Sequence, residues 1–248
     1  MRTSLPSLLV LGALGLPLGA EATPPPDQSV QVGRLPCQAP FEGRTRGLRQ
    51  LGWELAKRTS VHMELEAVLV DPAGEDLFRT PFLLWACDGP VAPLGEGARA
   101  NLRRFLQLGG FLLADDPRAE PEGAFERSLR AELAAVLPDR PLEPLPRDHV
   151  LWKTFFLVEG PAGRARTGAP VRGVSLGGQL AVVFVPDDLL GALGRDLSGS
   201  WELTVSPGGE AQREQAMRLG INLVLYALCL DYKNDRVHLP FILKRRRQ

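Results

Sequence analysis

Residues Asn101–Asp116 read Asn-Leu-Arg-Arg-Phe-Leu-Gln-Leu-Gly-Gly-Phe-Leu-Leu-Ala-Asp-Asp, and this stretch decides the fold. Leu94, Ala98, Leu102, Phe105 and Leu106 recur at helical spacing, while Glu96, Arg99, Arg103, Arg104 and Gln107 fill the other side. Gly109 suits the left-handed position that ends a helix, because it carries no Cβ to clash. Gly110–Ala114 then predicts a short central strand, closed by two adjacent carboxylates, Asp115 and Asp116. The stretch is thus a surface helix feeding a buried strand, which is one repeat unit of a layered α/β protein.

Working outward, the same grammar recurs. Ser29–Leu35 alternates apolar and polar residues and predicts a first strand, stopped by Pro36. Gly43–Arg58 predicts a helix with Leu48, Leu51 and Leu55 on one face. Glu64–Val70 predicts a second strand, closed by the turn signal Asp71-Pro72-Ala73-Gly74. Pro81–Cys87 is a nearly continuous apolar run, as in a strand covered on both faces. A helix over about Pro121–Val136 ends at Pro138, and Pro141–Pro146 reads as loop. Val171–Leu176 and Gln179–Val185 flank Gly177-Gly178 and predict a two-residue hairpin. A last helix, about Glu210–Leu230, is apolar nearly all round in its second half, so it should lie buried against the sheet. Strands alternating with helices over this length imply an α/β layer sandwich with a mostly parallel sheet.

The chain has 248 residues, 44% of them apolar, so a packed core is within reach. Its 29 basic and 29 acidic residues cancel, which argues against bulk nucleic-acid binding. The first residues stand apart from the fold. Arg2, the apolar run Leu5–Leu18 and the small-residue site Ala20-Glu21-Ala22 predict a signal peptide over residues 1–22. Residues 23–28 form a proline-rich leader, 29–243 a single domain, and 244–248 a basic tail. The apolar run is short and broken by Gly and Pro, so no stable transmembrane span is expected after cleavage. The expected location is the periplasm or the cell exterior, with tethering by an uncleaved N-terminal segment as the alternative. No cysteine follows the apolar run, so a lipid anchor is not indicated.

Four of the expected strands finish on acids: Asp71, Asp88, Asp115 with Asp116, and Asp187 with Asp188. In a parallel sheet these ends share one edge, the edge where open α/β sheets bind ligands. Two readings compete. Asp115, Asp116, Asp88 and Asp187 form a ligand-binding rim with His149, and Asp115, Asp116 and His149 hold a divalent metal such as Mg²⁺ or Ca²⁺. Alternatively the aspartates serve as turn and helix caps, which is common for Asp at strand ends. His149 is also the candidate general base.

The three cysteines, Cys37, Cys87 and Cys229, leave one disulfide plus a free thiol open. Cys87, at a strand end, is a weak candidate nucleophile, although Asp88 beside it disfavours the thiolate. There is no Gly-x-Ser-x-Gly elbow and no Cys-x-x-Cys pair.

Several motifs together resemble the bacterial domain-of-unknown-function family 4159. They are Leu77-Phe-x-x-Pro-Phe-Leu-Leu84, Leu102–Asp116, Asp148-His149, Arg218-Leu-Gly-Ile-Asn-Leu-Val-Leu-Tyr-Ala-Leu and Val237-His-Leu-Pro-Phe. The resemblance covers roughly Ser29 to Arg247. It implies a flavodoxin-like three-layer sandwich similar to class I glutamine amidotransferases. The chain lacks that group's cysteine elbow with its His and Glu partners, so glutaminase activity does not follow. Family context implies envelope partners of the AAA-type ATPase and von Willebrand factor A kinds. The expectation is an exported, non-catalytic module that binds a ligand or a protein, with a metal-assisted hydrolase as the alternative.

Overall fold

A computed structural model describes residues 29–39 and 44–245, the final helix beyond residue 228 as backbone only. The expected signal peptide, the proline-rich leader and the last residues of the basic tail lie outside the described residues, as does the Cys229 side chain.

Strand β1 (Ser29–Val30) and β2 (Val32–Arg34) occupy the first expected strand, split at Gln31, whose side chain donates to Glu66 O at 3.2 Å. Helix α1 (Thr45–Arg58) buries Leu48, Leu51 and Leu55. The second expected strand also divides, into β3 (His62–Met63) and β4 (Val68–Leu69). Then come β5 (Phe82–Trp85), α2 (Glu96–Gln107), β6 (Phe111–Asp115) and α3 (Ala124–Val136). Strand β7 (Glu143–Pro144) falls where loop was expected, because these two residues find an antiparallel partner in β8 (Arg172–Leu176). Strand β9 (Gln179–Val185) and helix α4 (Gly209–Arg245) complete the chain. The helix passes the expected stop at Leu230; Asp231–Leu239 contains no glycine or proline to end it.

The seven-stranded sheet runs β4-β2-β5-β6-β9-β8-β7, and β1 and β3 form a separate parallel pair. The five strands from β4 to β9 are mutually parallel. Taken in chain order, β2, β4, β5, β6 and β9 lie in the order 2-1-3-4-5, the doubly wound flavodoxin-like arrangement. Strands β8 and β7 extend it antiparallel, through the expected hairpin, with Gly177 and Gly178 at φ 58° and 82°. One apolar cluster packs α1 and α4 on one face of the sheet, through Leu51, Phe82, Phe111 and Leu223 among others. A second cluster packs α2 and α3 on the other face, through Leu102, Leu112, Phe125 and Phe184. These are the three layers expected.

The deciding stretch behaves as written. Gly109 sits at φ 100°, its N–H bonds to Leu106 O, and the Gly110 N–H reaches Phe105 O at 3.0 Å. That pair of bonds is the two-glycine helix stop known as the Schellman motif. A Cβ on Gly110 would come within 2.3 Å of the Phe105 ring, which folds over it. Every residue of β6 is buried, as befits the strand between β5 and β9.

Candidate functional site

The strand-end acids do converge on one edge, and most of them are consumed by the fold. Asp115, the last residue of β6, is fully buried and accepts hydrogen bonds from Leu189 N (2.7 Å) and Leu190 N (2.9 Å). Burial pushes its carboxyl up to about 8, helped by the negative Asp188, while the two backbone N–H groups and Arg44 pull the other way. Asp188 has a left-handed backbone (φ 56°) and no exposure. It accepts from Arg44 Nε (2.5 Å) and Nη2 (2.8 Å), from Arg164 Nε, and from Gly191 N (3.1 Å). Burial raises its pKa, and the two guanidiniums counter the rise. Arg44 also donates to Pro117 O at 2.7 Å, so one side chain ties the start of α1 to the ends of β6 and β9.

Three of the remaining acids are caps. Asp116 accepts from Arg118 N (3.1 Å) and Glu120 N (3.2 Å), turning the chain toward α3. Asp187 accepts from the Thr167 N–H (2.9 Å) and hydroxyl (2.6 Å). Asp71 accepts from Ala73 N at 2.9 Å. Asp88 lies exposed, 3.4 Å from Arg118, a surface pair of little energetic weight.

His149 is held elsewhere. Its Nδ1 accepts the Leu151 N–H at 3.1 Å, capping the short 3-10 helix Val150–Lys153, and its ring packs 5.7 Å from that of Tyr226. Burial lowers its pKa, with Asp148 opposing. Among the described residues no three His, Cys, Asp or Glu side chains come together in a way that could hold a metal ion. The expected Asp115, Asp116 and His149 trio is therefore not assembled, because each carboxylate faces backbone N–H donors and His149 serves its own helix. The nucleophile reading of Cys87 is overturned outright: Cys87 is bonded to Cys37, so it presents no thiol.

That disulfide occupies a telling place. Cys37 follows β2 and Cys87 follows β5, the two strands between which the strand order reverses. Ligands of doubly wound sheets enter at this reversal. Here Trp85 Nε1 also donates to Pro36 O (3.0 Å), and Gln38 N and Ala92 N bond across the same gap. The usual crevice is laced shut.

The open concavity on the same sheet edge lies further along, beyond β9 and β8. It is a cleft of about 440 Å³ lined by residues that include Trp152, Val171, Asp187 and Gln215. Arg147, Arg166 and Glu159 stand at its mouth, all exposed. The Gln215 Oε1 is buried and has no hydrogen-bond partner. Neither Arg147 nor Arg166 pairs with a carboxylate among the described residues, whereas Arg44 and Arg164 are committed to Asp188. Of the residues expected from sequence, only Asp187 lines this cleft. The others were missed because Gly163-Arg-Ala-Arg-Thr-Gly168 reads as a solvated loop and Gln215 as one polar position on an amphipathic helix.

The part of the lining that carries Trp152 depends on a second buried amide. Asn222 of α4 accepts from Phe155 N and Phe156 N and donates to Leu151 O and Phe156 O, all within 3.2 Å. It thereby pins the segment that carries Trp152 against the helix that carries Gln215.

Comparison with known proteins adds the family. No curated protein matches the chain. Among solved structures, a protein from Parabacteroides merdae ATCC 43184 described as ThuA-like aligns with a TM-score of 0.41 at 10% identity, over 80% of this chain and 90% of that one. The profile described as "Domain of unknown function (DUF4159)" matches residues 38–228, which is most of the chain. The layered α/β chain with the sealed strand reversal belongs to that family.

Proposed function

We propose that the protein is an exported, non-catalytic module that binds a ligand in the cleft beside β8 and β9. The observation that carries this reading is the Gln215 carbonyl oxygen, buried in the cleft wall without a donor. An unmet buried acceptor costs about 1–3 kcal/mol, so the Gln215 side chain keeps its place in the cleft lining at a cost to the fold. Apolar walls with a few convergent polar groups are the usual make-up of a small-molecule site. The Cys37–Cys87 bond supports export, since disulfides persist in oxidising compartments. The envelope partners implied by the family resemblance would act through the same module.

A thermal-shift screen of organic acids, sugars, phosphorylated compounds and short peptides tests the reading. A ligand at one hundred times its Kd raises stability by about 2.7 kcal/mol. Gln215→Leu should abolish that shift while leaving the unliganded protein as stable as before or more so. If no compound gives a saturable shift, or if the shift survives in Gln215→Leu, the cleft is not the site. Mass spectrometry of protein recovered from the producing cell tests export, with an N-terminus at Thr23 expected and an unprocessed Met1 contradicting it.

A further inference from the structure

The cleft's chemistry narrows the ligand, and this step rests on the binding reading just given. We propose that the ligand is an organic anion: a carboxylate, phosphate or sulfonate group on an apolar body of about ring size.

The charge around the mouth carries the argument. Arg147 and Arg166 line it and form no ion pair with any described residue. Most other arginines near this sheet edge are engaged: Arg44 and Arg164 with Asp188, Arg118 with Glu120, and Arg213 with Glu210. Of the two acids at the cleft, Asp187 is buried and receives the N–H and hydroxyl of Thr167, and Glu159 is the one at the exposed mouth, so the mouth itself presents two guanidiniums and one carboxylate. The Arg166 guanidinium also lies next to the beginning of α4, since a Cβ placed on Gly208 would be 3.8 Å from its Nη2. The amino end of a long helix adds positive potential at that spot. Guanidinium forks match carboxylate and phosphate oxygens in pairs, which is why arginine is common where such anions are recognised.

The body of the ligand is set by the walls. Leu145, Trp152, Ala162, Pro170 and Val171 present apolar surface below the arginines. The Trp152 Nε1–H is already given to Pro146 O at 2.8 Å, so this indole offers its carbon framework. Gln215 completes the lining, with its Oε1 turned into the wall and its remaining surface toward the ligand. A small inorganic anion would meet the arginines and leave both the walls and Gln215 unused.

The test uses two dyes that differ mainly in charge: 8-anilinonaphthalene-1-sulfonate and its uncharged relative N-phenyl-1-naphthylamine. Each is titrated into the full mature protein and followed by fluorescence. The sulfonate should bind saturably, at least tenfold tighter than the neutral dye, and more weakly as salt rises. Arg147→Ala combined with Arg166→Ala should cut its affinity at least tenfold and leave the neutral dye unchanged. Both arginines are exposed and make no ion pair, so this variant keeps the fold. Benzoate and phenyl phosphate, added as competitors, show whether carboxylate or phosphate is preferred. Equal binding of the two dyes, lost in Gln215→Leu but indifferent to the arginine change, would overturn the anionic ligand and leave the cleft reading standing. Binding of neither dye, or sulfonate binding that ignores both sets of substitutions, would overturn both.

Discussion

Replacing Asp188 by Asn is the sharpest test of how the sheet edge is held. Asparagine keeps the side-chain shape and tolerates the left-handed backbone that Asp188 adopts. What changes is charge. The carboxylate takes two hydrogen bonds from Arg44, one from Arg164 and one from Gly191 N, and it has no contact with solvent. Removing one partner of a buried ion pair costs about 3–5 kcal/mol, because the other charge is left unpaired. Arg44 and Arg164 keep 17% and 28% of their side-chain surface exposed, so water relieves part of the loss and the low end, about 3 kcal/mol, is expected. For a chain of this size each kcal/mol moves Tm by about 2–4 °C, which gives a drop of about 6–12 °C. Urea unfolding at neutral pH with the disulfide intact measures the difference directly. The same substitution made in an Arg164→Met background should cost at least about 1 kcal/mol less, since contacting charges couple by 0.5–3 kcal/mol. A loss below about 1 kcal/mol in the wild-type background, or strict additivity with Arg164→Met, would refute the claim that Asp188 organises this edge.

Two further outcomes follow from neighbouring groups. Gly47 lies within α1, where alanine would normally gain about 1 kcal/mol of helix propensity. A Cβ there would lie 1.9 Å from Leu190 O, so Gly47→Ala should instead destabilise the protein by more than 1 kcal/mol in urea unfolding; a gain in stability would show that α1 can back away from that loop. Burial raises the Asp115 carboxyl to about 8 in the folded protein, so its contribution is fully present only below its unfolded value of 3.8 and fades as pH rises toward about 8. His149, with its lowered pKa, works the other way up to about pH 6.5, so the cleanest window is pH 6.5–8. Stability should fall across that window in the wild type and flatten in Asp115→Asn; an equal slope in both would place the titrating group elsewhere.

Much of the architecture was legible because it is written in local grammar. The Gly109-Gly110 stop, the fully apolar β5 and β6, and the Gly177-Gly178 turn each follow from backbone sterics and burial within a few residues. The first two expected strands each broke in two, since their halves pair in two separate sheets, β1 with β3 and β2 with β4, and no short window of sequence contains both partners. The site was legible only in outline. Aspartates did gather at the carboxyl edge, but whether a carboxylate meets a ligand or a backbone N–H depends on residues such as Leu189, Leu190 and Arg44, up to 144 positions away in the hydrogen bonds concerned. Gln215 and Arg166 gave no signal because their meaning lies in what they fail to contact.

The disulfide across the strand reversal makes a covalent ring of residues 37–87, and α1, β3 and β4 all lie inside it. The sheet's free edge on that side is therefore a closed loop rather than a loose end. When β4 peels away or α1 lifts, both ends of the loop stay moored beside β5, and the detached segment has little volume in which to wander. Closing about fifty residues in this way removes roughly 4 kcal/mol of chain entropy from the open state. The half of the sheet with the shortest strands is thus held by connectivity, and amide exchange there should slow more than its sparse hydrogen bonding would suggest.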